Sequence, residues 1–176
     1  CDKSFEPVEK MYGELRAKGF NPVIVAGGSA TLPIHLKRKN VECSPGTFIF
    51  WDKGYSEWIP EQQFHPAALV LTRIVSLPAP SFICVDLGYK SIASENNLAD
   101  RFYFLNAPDL IPVGQSEEHL VLDCSGPHSW KIGDVLYALP VHICPTCALY
   151  EEAMIIDNGV VENKWQMIAR NRRISF

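Results

Sequence analysis

The sequence predicts a chain of two unlike parts, mixed α/β first and mainly β afterwards. Three observations carry this. A helical apolar pattern, a short buried strand and a glycine-rich turn follow one another near the N-terminus. Beyond about residue 65 the apolar runs become short, strand-sized and closely spaced, as in an antiparallel β-barrel or sandwich. Near the C-terminus, Asn158-Gly159 sits between two apolar runs, a strong two-residue hairpin signal.

Phe5 to Lys18 reads as a helix, because Phe5, Val8, Met11, Tyr12 and Leu15 follow the i, i+3, i+4 spacing. Ser4 is its candidate N-cap and Gly19 its stop. Asn21-Pro22 leads into Val23-Ile24-Val25, a continuous apolar run typical of a buried parallel strand. Gly27-Gly28-Ser29-Ala30-Thr31 and a short helix follow, and Gly46 precedes a second expected strand, Thr47 to Trp51. That order is α/β, but too short for a complete barrel or doubly wound sheet. It reads as the tail end of a larger α/β domain.

The later strands are expected at Ala67 to Val75, Ser81 to Val85, Phe102 to Leu105, His119 to Asp123, Val135 to Leu139, Ala153 to Ile156 and Val160 to Met167. Pro78-Ala79-Pro80, Gly88, Gly126-Pro127, Gly133-Asp134 and Asp157-Asn158-Gly159 punctuate them. The boundary between the two parts is placed between Tyr55 and Pro66.

Composition narrows the function classes. The 176 residues are 47% hydrophobic, enough for a sizeable core without a disulfide or metal staple. A net charge of −4 disfavours nucleic acid, whose binding rests on Lys and Arg. Lys37-Arg38-Lys39 and Arg170 to Arg173 are short basic runs, read as a solvated face or a tail. No apolar run approaches the ~20 residues of a membrane span, and Cys1-Asp2-Lys3-Ser4 opens without an apolar signal region, so no membrane partner is expected. The missing initiator Met reads as a processed, cut or engineered start. Six cysteines permit disulfides, but Cys84 and Cys124 lie in apolar runs as buried thiols would. A reducing, cytoplasmic setting is expected.

Four groups of residues can carry chemistry. Gly27-Gly28-Ser29-Ala30-Thr31 follows a strand, where bare backbone N–H groups and hydroxyls suit a phosphate; a plain structural turn is the competing reading. In His142-Ile143-Cys144-Pro145-Thr146-Cys147, residues i and i+2 of an extended segment point the same way, so His142 and Cys144 can present an imidazole and a thiolate to one metal. Simple packing, or a C-x-x-C redox pair with Cys147, competes with that, and a structural zinc would need recruits such as His119 and Cys124. Ser116-Glu117-Glu118-His119 suits acid–base work or an exposed loop. Asp52, Tyr55 and Asp86 lie at strand ends, as functional residues or as caps and turns.

The segments together resemble the D-threonine aldolase and D-serine dehydratase family. The ordered series is the Gly27-Gly28-Ser29 loop, Pro45 to Asp52, Asp86 to Ile92, Ser116 to His119, Ile132-Gly133-Asp134, Leu139 to Thr146 and Trp165 to Arg170. The resemblance implies an alanine-racemase-like architecture. Residues 1–60 would be the C-terminal remnant of a pyridoxal-phosphate-binding (β/α)₈ barrel, and residues 61–176 an antiparallel β-barrel or sandwich domain carrying the metal motif. It implies that Gly27, Gly28, Ser29 and Thr31 contact the phosphate of pyridoxal 5′-phosphate. It also implies that His142 and Cys144 bind a divalent metal, zinc in the dehydratase-like branch. The substrate would be a small D-β-hydroxy amino acid. The family's Schiff-base lysine lies upstream of anything here, and Lys90 matches a different family segment, so the chain alone is expected to be inactive. The expected partners are a second copy, in a homodimer, or the absent N-terminal part. The alternative reading is a non-catalytic β-domain binding module with a structural metal at His142, Cys144 and Cys147.

Overall fold

The computed structural model of the protein describes residues 1–171 and residue 173. The basic run at Arg170 to Arg173 includes Arg172, which lies outside the described residues. The chain divides into two compact units, Cys1–Ile49 and Phe50–Phe176.

In the first unit, helix α1 spans Asp2–Ala17, with Cys1 rather than Ser4 at its N-cap. Lys18 C-caps it, and Gly19 follows at φ 85°, a left-handed conformation that only glycine adopts at little cost. Of its apolar stripe only Phe5 is buried, and Val8 and Met11 stay exposed. Phe5 packs on His35, in helix α2 (Leu32–His35), at 5.0 Å between ring centroids. Arg38 lies 4.1 Å above the Phe5 ring and pairs with Asp2 and Glu9. Arg38 is thus a packed cation and not part of a solvated basic face. Strand β1 (Ile24–Gly27) pairs in parallel with β2 (Val41–Ser44). The strand expected at Thr47 to Trp51 is not formed. Thr47–Ile49 is a single 3₁₀ turn, and Trp51 takes φ 53°. Trp51 is fully buried, in ring contact with Tyr55 and Phe64. Tertiary packing of this indole overrides the extended preference of the apolar run.

In the second unit, α3 (Lys53–Trp58) precedes the strands β3 (Val70–Ala79), β4 (Phe82–Val85), β5 (Phe102–Phe104), β6 (Ile111–Gln115), β7 (Leu120–Asp123) and β8 (Val135–Pro140). They form one antiparallel sheet in the order β5-β8-β3-β4-β7-β6. Alternation sets its inner face: Val70, Thr72 and Ile74 of β3 point inward beside Ile83, Val85, Leu120, Leu122, Leu136 and Ala138, while Leu71, Arg73 and Val75 point out. The sheet curls around this one core as a half-barrel. Strand β6 adds to the strands that the sequence predicts, its apolar pattern being interrupted by Pro112 and Gly114. It lies at a sheet edge, where a missing N–H donor is tolerated, and its register shifts between those two residues. The short helix α4 (Ile143–Ala148) leaves β8, and β9 (Glu152–Asp157) and β10 (Val160–Gln166) form a separate hairpin. Asn158 and Gly159 both take positive φ, 48° and 80°, as a type I′ turn requires.

The division at residue 49 falls before the Tyr55 to Pro66 stretch where the composition changes. Two bonds tie α3 to the β unit. Gly54 N donates to Val141 O at 3.1 Å, and the Asp52 carboxylate accepts from Ile143 N at 3.0 Å. Asp52→Ala removes a buried acceptor for two backbone N–H groups. It is expected to lower stability by about 1–3 kcal/mol, with Asp52→Asn intermediate, as read by chemical denaturation.

Candidate functional site

The His142 motif begins as strand β8 ends. His142 is the N-cap of α4, with extended backbone at φ −130° and ψ 104°, and Ile143 opens the helix. The expectation that His142 and Cys144 share a face of an extended segment is therefore corrected. Only His142 is extended, and Cys144 stands in the first helical turn. The turn forms because its backbone groups find partners. Ile143 N donates to Asp52 Oδ2, and Thr146 Oγ1 donates to His142 O at 2.8 Å. Both His142 and Cys144 remain exposed. Cys144 and Cys147 do open a helix, but it follows an antiparallel strand and no βαβ unit. Burial, and then the neighbouring Cys144, push the Cys147 thiol up. None of the six cysteines is in a disulfide.

His142 has a partner that sequence reasoning missed. Its Nδ1 is in contact with Glu95 Oε1. Burial acts to raise the Glu95 pKa. Its own backbone N–H, the His142 ring and the charges of His142 and Arg101 outweigh that and hold it below the usual carboxylate value. The two residues lie 47 positions apart, so no spacing rule links them. A metal-ligating imidazole commonly gives its second nitrogen to a carboxylate in this way. His142 is therefore placed as a metal-ligating imidazole would be, with Cys144 two residues on as the second donor of the motif. A self-contained structural zinc uses four, and no group of three or more His, Cys, Asp or Glu able to hold a metal forms among the described residues. His119 lies in the turn between β6 and β7, and Cys124 follows β7, half-buried, so neither is a recruit.

In the first unit, Gly27 ends β1, Gly28 takes φ 92°, and Ser29–Thr31 makes one 3₁₀ turn before α2. Thr31 Oγ1 donates to Gly27 O and Gly28 O at 3.2 Å. Ser29 is buried, and its Oγ accepts from Phe48 N at 3.1 Å. Both hydroxyls thus help build the loop. Gly27 and Gly28 are exposed at the C-terminal end of a parallel strand, a place where a phosphate can approach the backbone. A Cβ at Gly28 would stand 3.3 Å from Thr31 Oγ1, against a side chain that braces the loop.

Two further motifs meet each other. Tyr89 N donates to Ser116 O at 2.9 Å and Lys90 N to Glu117 O at 3.2 Å. Gly88 permits this approach, since a Cβ there would fall 2.0 Å from Glu117 O. Lys90 Nζ lies 2.6 Å from Glu117 and 2.9 Å from Glu118, whose carboxylates push its pKa far up. The carboxylates of Ser116 to His119 are therefore committed to an exposed ion network. Asp86 accepts from Thr72 Oγ1 and Arg73 N, joining the end of β4 to β3, and Asp52 N-caps α3 through Tyr55 N.

The second unit is thus an open antiparallel half-barrel with a His-x-Cys turn at the end of β8. The chain belongs to the family described as "Putative serine dehydratase domain", whose model matches residues 67–156. It is 31% identical over 132 residues to a D-threonine aldolase of an Arthrobacter sp, covering 73% of this chain and 34% of that protein. It is 26% identical to a 3-hydroxy-D-aspartate aldolase of Paracoccus denitrificans strain Pd 1222, covering 97% of the chain and 46% of that protein. Among solved structures, a D-threonine aldolase from Filomicrobium marinum shares the fold with a TM-score of 0.74 at 21% identity, over 89% of this chain and 43% of that one. An alanine-racemase-like protein from Idiomarina loihiensis does so with a TM-score of 0.65 at 18% identity, over 89% and 47%. The chain thus spans about a third to a half of the relatives it matches.

The Lys90 network carries a pH dependence. Lys90 chiefly holds the Glu117 carboxyl below its usual value. A depressed carboxylate stabilises the fold above its unfolded pKa, about 4.3, and that contribution is lost as pH falls through the lower folded value. Carbon-detected NMR titration is expected to show Glu117 with a depressed midpoint that Lys90→Met returns toward the ordinary one.

Proposed function

We propose that this chain is the C-terminal portion of a pyridoxal-phosphate- and metal-dependent lyase acting on small D-β-hydroxy amino acids, of the D-threonine aldolase or D-serine dehydratase type. The observation that carries the reading is His142, exposed beside Cys144 and braced at Nδ1 by Glu95. The family match and the aldolase names of the relatives supply the reaction class.

When bound, pyridoxal phosphate supplies an electron sink for charge developing at Cα, and a divalent metal, zinc by the chemistry of an imidazole and a thiolate, supplies polarisation of the substrate β-hydroxyl. Gly27 and Gly28 would receive the phosphate at an exposed loop, and Ser29 and Thr31 hold that loop in shape. His142 and Cys144 would hold the metal through two ligands only, which leaves positions for the substrate. Asp52 and Thr146 fasten the backbone of the turn that carries these two residues. The lysine that bears the cofactor is not assigned to any residue here. Lys90 is committed to Glu117 and Glu118.

No helix among the described residues is long and apolar enough to cross a membrane. A homodimer, or union with an N-terminal part, would cover apolar side chains now exposed, among them Val23 and Val25 of the first unit.

Metal analysis of the purified chain tests the reading. Wild type is expected to retain about one zinc per chain after dialysis against zinc, and the His142→Ala, Cys144→Ala double variant to lose it. Equal zinc in both would remove the site assignment.

A further inference from the structure

The segment Ser91 to Glu95 is fastened at three points to the stretch His142 to Tyr150, which contains α4. Tyr150 Oη donates to Ser91 O at 2.7 Å. Ala93 N donates to Thr146 Oγ1 at 3.1 Å, and that same hydroxyl donates to His142 O. Glu95 Oε1 then meets His142 Nδ1. Residues 91, 93 and 95 are alternate positions of one segment. Their partners are Tyr150 just beyond α4, Thr146 within it and His142 at its N-cap. Successive alternate residues of the segment thus meet partners progressively nearer the start of α4.

The far side of Glu95 is fixed as well. Arg101 Nε donates to Asn96 O at 2.8 Å, and its Nη1 reaches Gln115 Oε1 at 2.5 Å. Gln115 Nε2 in turn donates to Leu87 O at 2.8 Å. Thr146 is 2% exposed and Ala93 6%, so the fastening is part of the packed interior. An ion pair between two half-exposed side chains on loose loops contributes little, because both must be ordered to form it. Here the backbone on each side is already held, and the Glu95 carboxylate is delivered to one nitrogen of one ring.

We propose that Glu95 is a positioning residue for His142, accepting the Nδ1–H so that the ring takes the tautomer with an unprotonated Nε2 turned toward a divalent cation. A neutral imidazole binds metal through its unprotonated nitrogen, and the hydrogen bond made by the other nitrogen decides which one that is. This inference rests on the metal reading of His142 and Cys144. It adds a residue that does not itself touch the metal.

The test is zinc affinity of the full chain, measured by competition with a chromophoric chelator, in wild type, Glu95→Ala, Glu95→Gln, His142→Ala and Cys144→Ala. Glu95→Ala is expected to weaken zinc binding about 10–100-fold. Glu95→Gln keeps a carbonyl oxygen that accepts from Nδ1–H and is expected to recover most of that loss. Long-range ¹H–¹⁵N spectra of the metal-free chain should show His142 protonated at Nδ1 in wild type and Glu95→Gln, and shifted toward the Nε2–H form in Glu95→Ala. That signature separates positioning from a general loss of fold, which circular dichroism of the same samples reports. Unchanged zinc affinity in Glu95→Ala, or an unchanged tautomer, overturns the inference while His142→Ala and Cys144→Ala still lose zinc. If those two variants also bind zinc as wild type does, it is the metal reading that falls.

Discussion

Asp52 joins two parts of the second unit that lie 91 residues apart in the chain. Its side chain is almost wholly buried, and each oxygen serves a different helix. Oδ1 accepts from Tyr55 N at the start of α3, and Oδ2 from Ile143 N at the start of α4. A buried carboxylate is costly unless charge-assisted hydrogen bonds satisfy it. Two helix N-termini supply both N–H donors and favourable dipole ends. Ile143 is the middle residue of the His142-Ile143-Cys144 triplet, so the same bond that anchors α3 sets the backbone of the candidate metal site. The Gly54–Val141 bond runs beside it and completes the clamp.

The rest of the site is built outward from that clamp. Thr146 closes the first turn of α4 on His142 O and at the same time receives Ala93 N. Glu95 follows two residues later and reaches the ring. The sheet beneath gives these loops a rigid base, since its inward residues belong to one continuous core from Phe102 and Phe104 through Leu136, Val70 and Ile83 to Leu120. The glycine loop in the first unit follows the same logic on a smaller scale, with Thr31 and Ser29 bracing the backbone around two exposed glycines.

Some features were legible because they are local. The hairpin at Asn158-Gly159 needs two positive φ angles, and few residue pairs supply them so readily. The alternation in β3, β4, β7 and β8 is readable because one face is buried and the other is not. Other features are not local. Strand β6 carries a proline and a glycine, and only its edge position makes it a strand. The run Thr47 to Trp51 has the composition of a strand, yet a buried indole with positive φ turns it aside. Arg38 reads as a surface charge until α1 brings Phe5, Asp2 and Glu9 against it.

By itself, the sequence determined the order of an α/β segment and a β domain, the family to which the chain belongs, and the candidate donors Gly27, Gly28, Ser29, Thr31, His142 and Cys144. Those are properties of composition, period and motif, carried within a few residues of one another. Only the tertiary structure decided that Cys144 stands on a helix and not on a strand. The reason is that the acceptor for Ile143 N comes from Asp52, far away in the chain. It also decided that Lys90 is spent on Glu117 and Glu118, and that His142 is held by Glu95. Each of these pairs side chains across long stretches of sequence, and no local pattern records which partner the fold will bring.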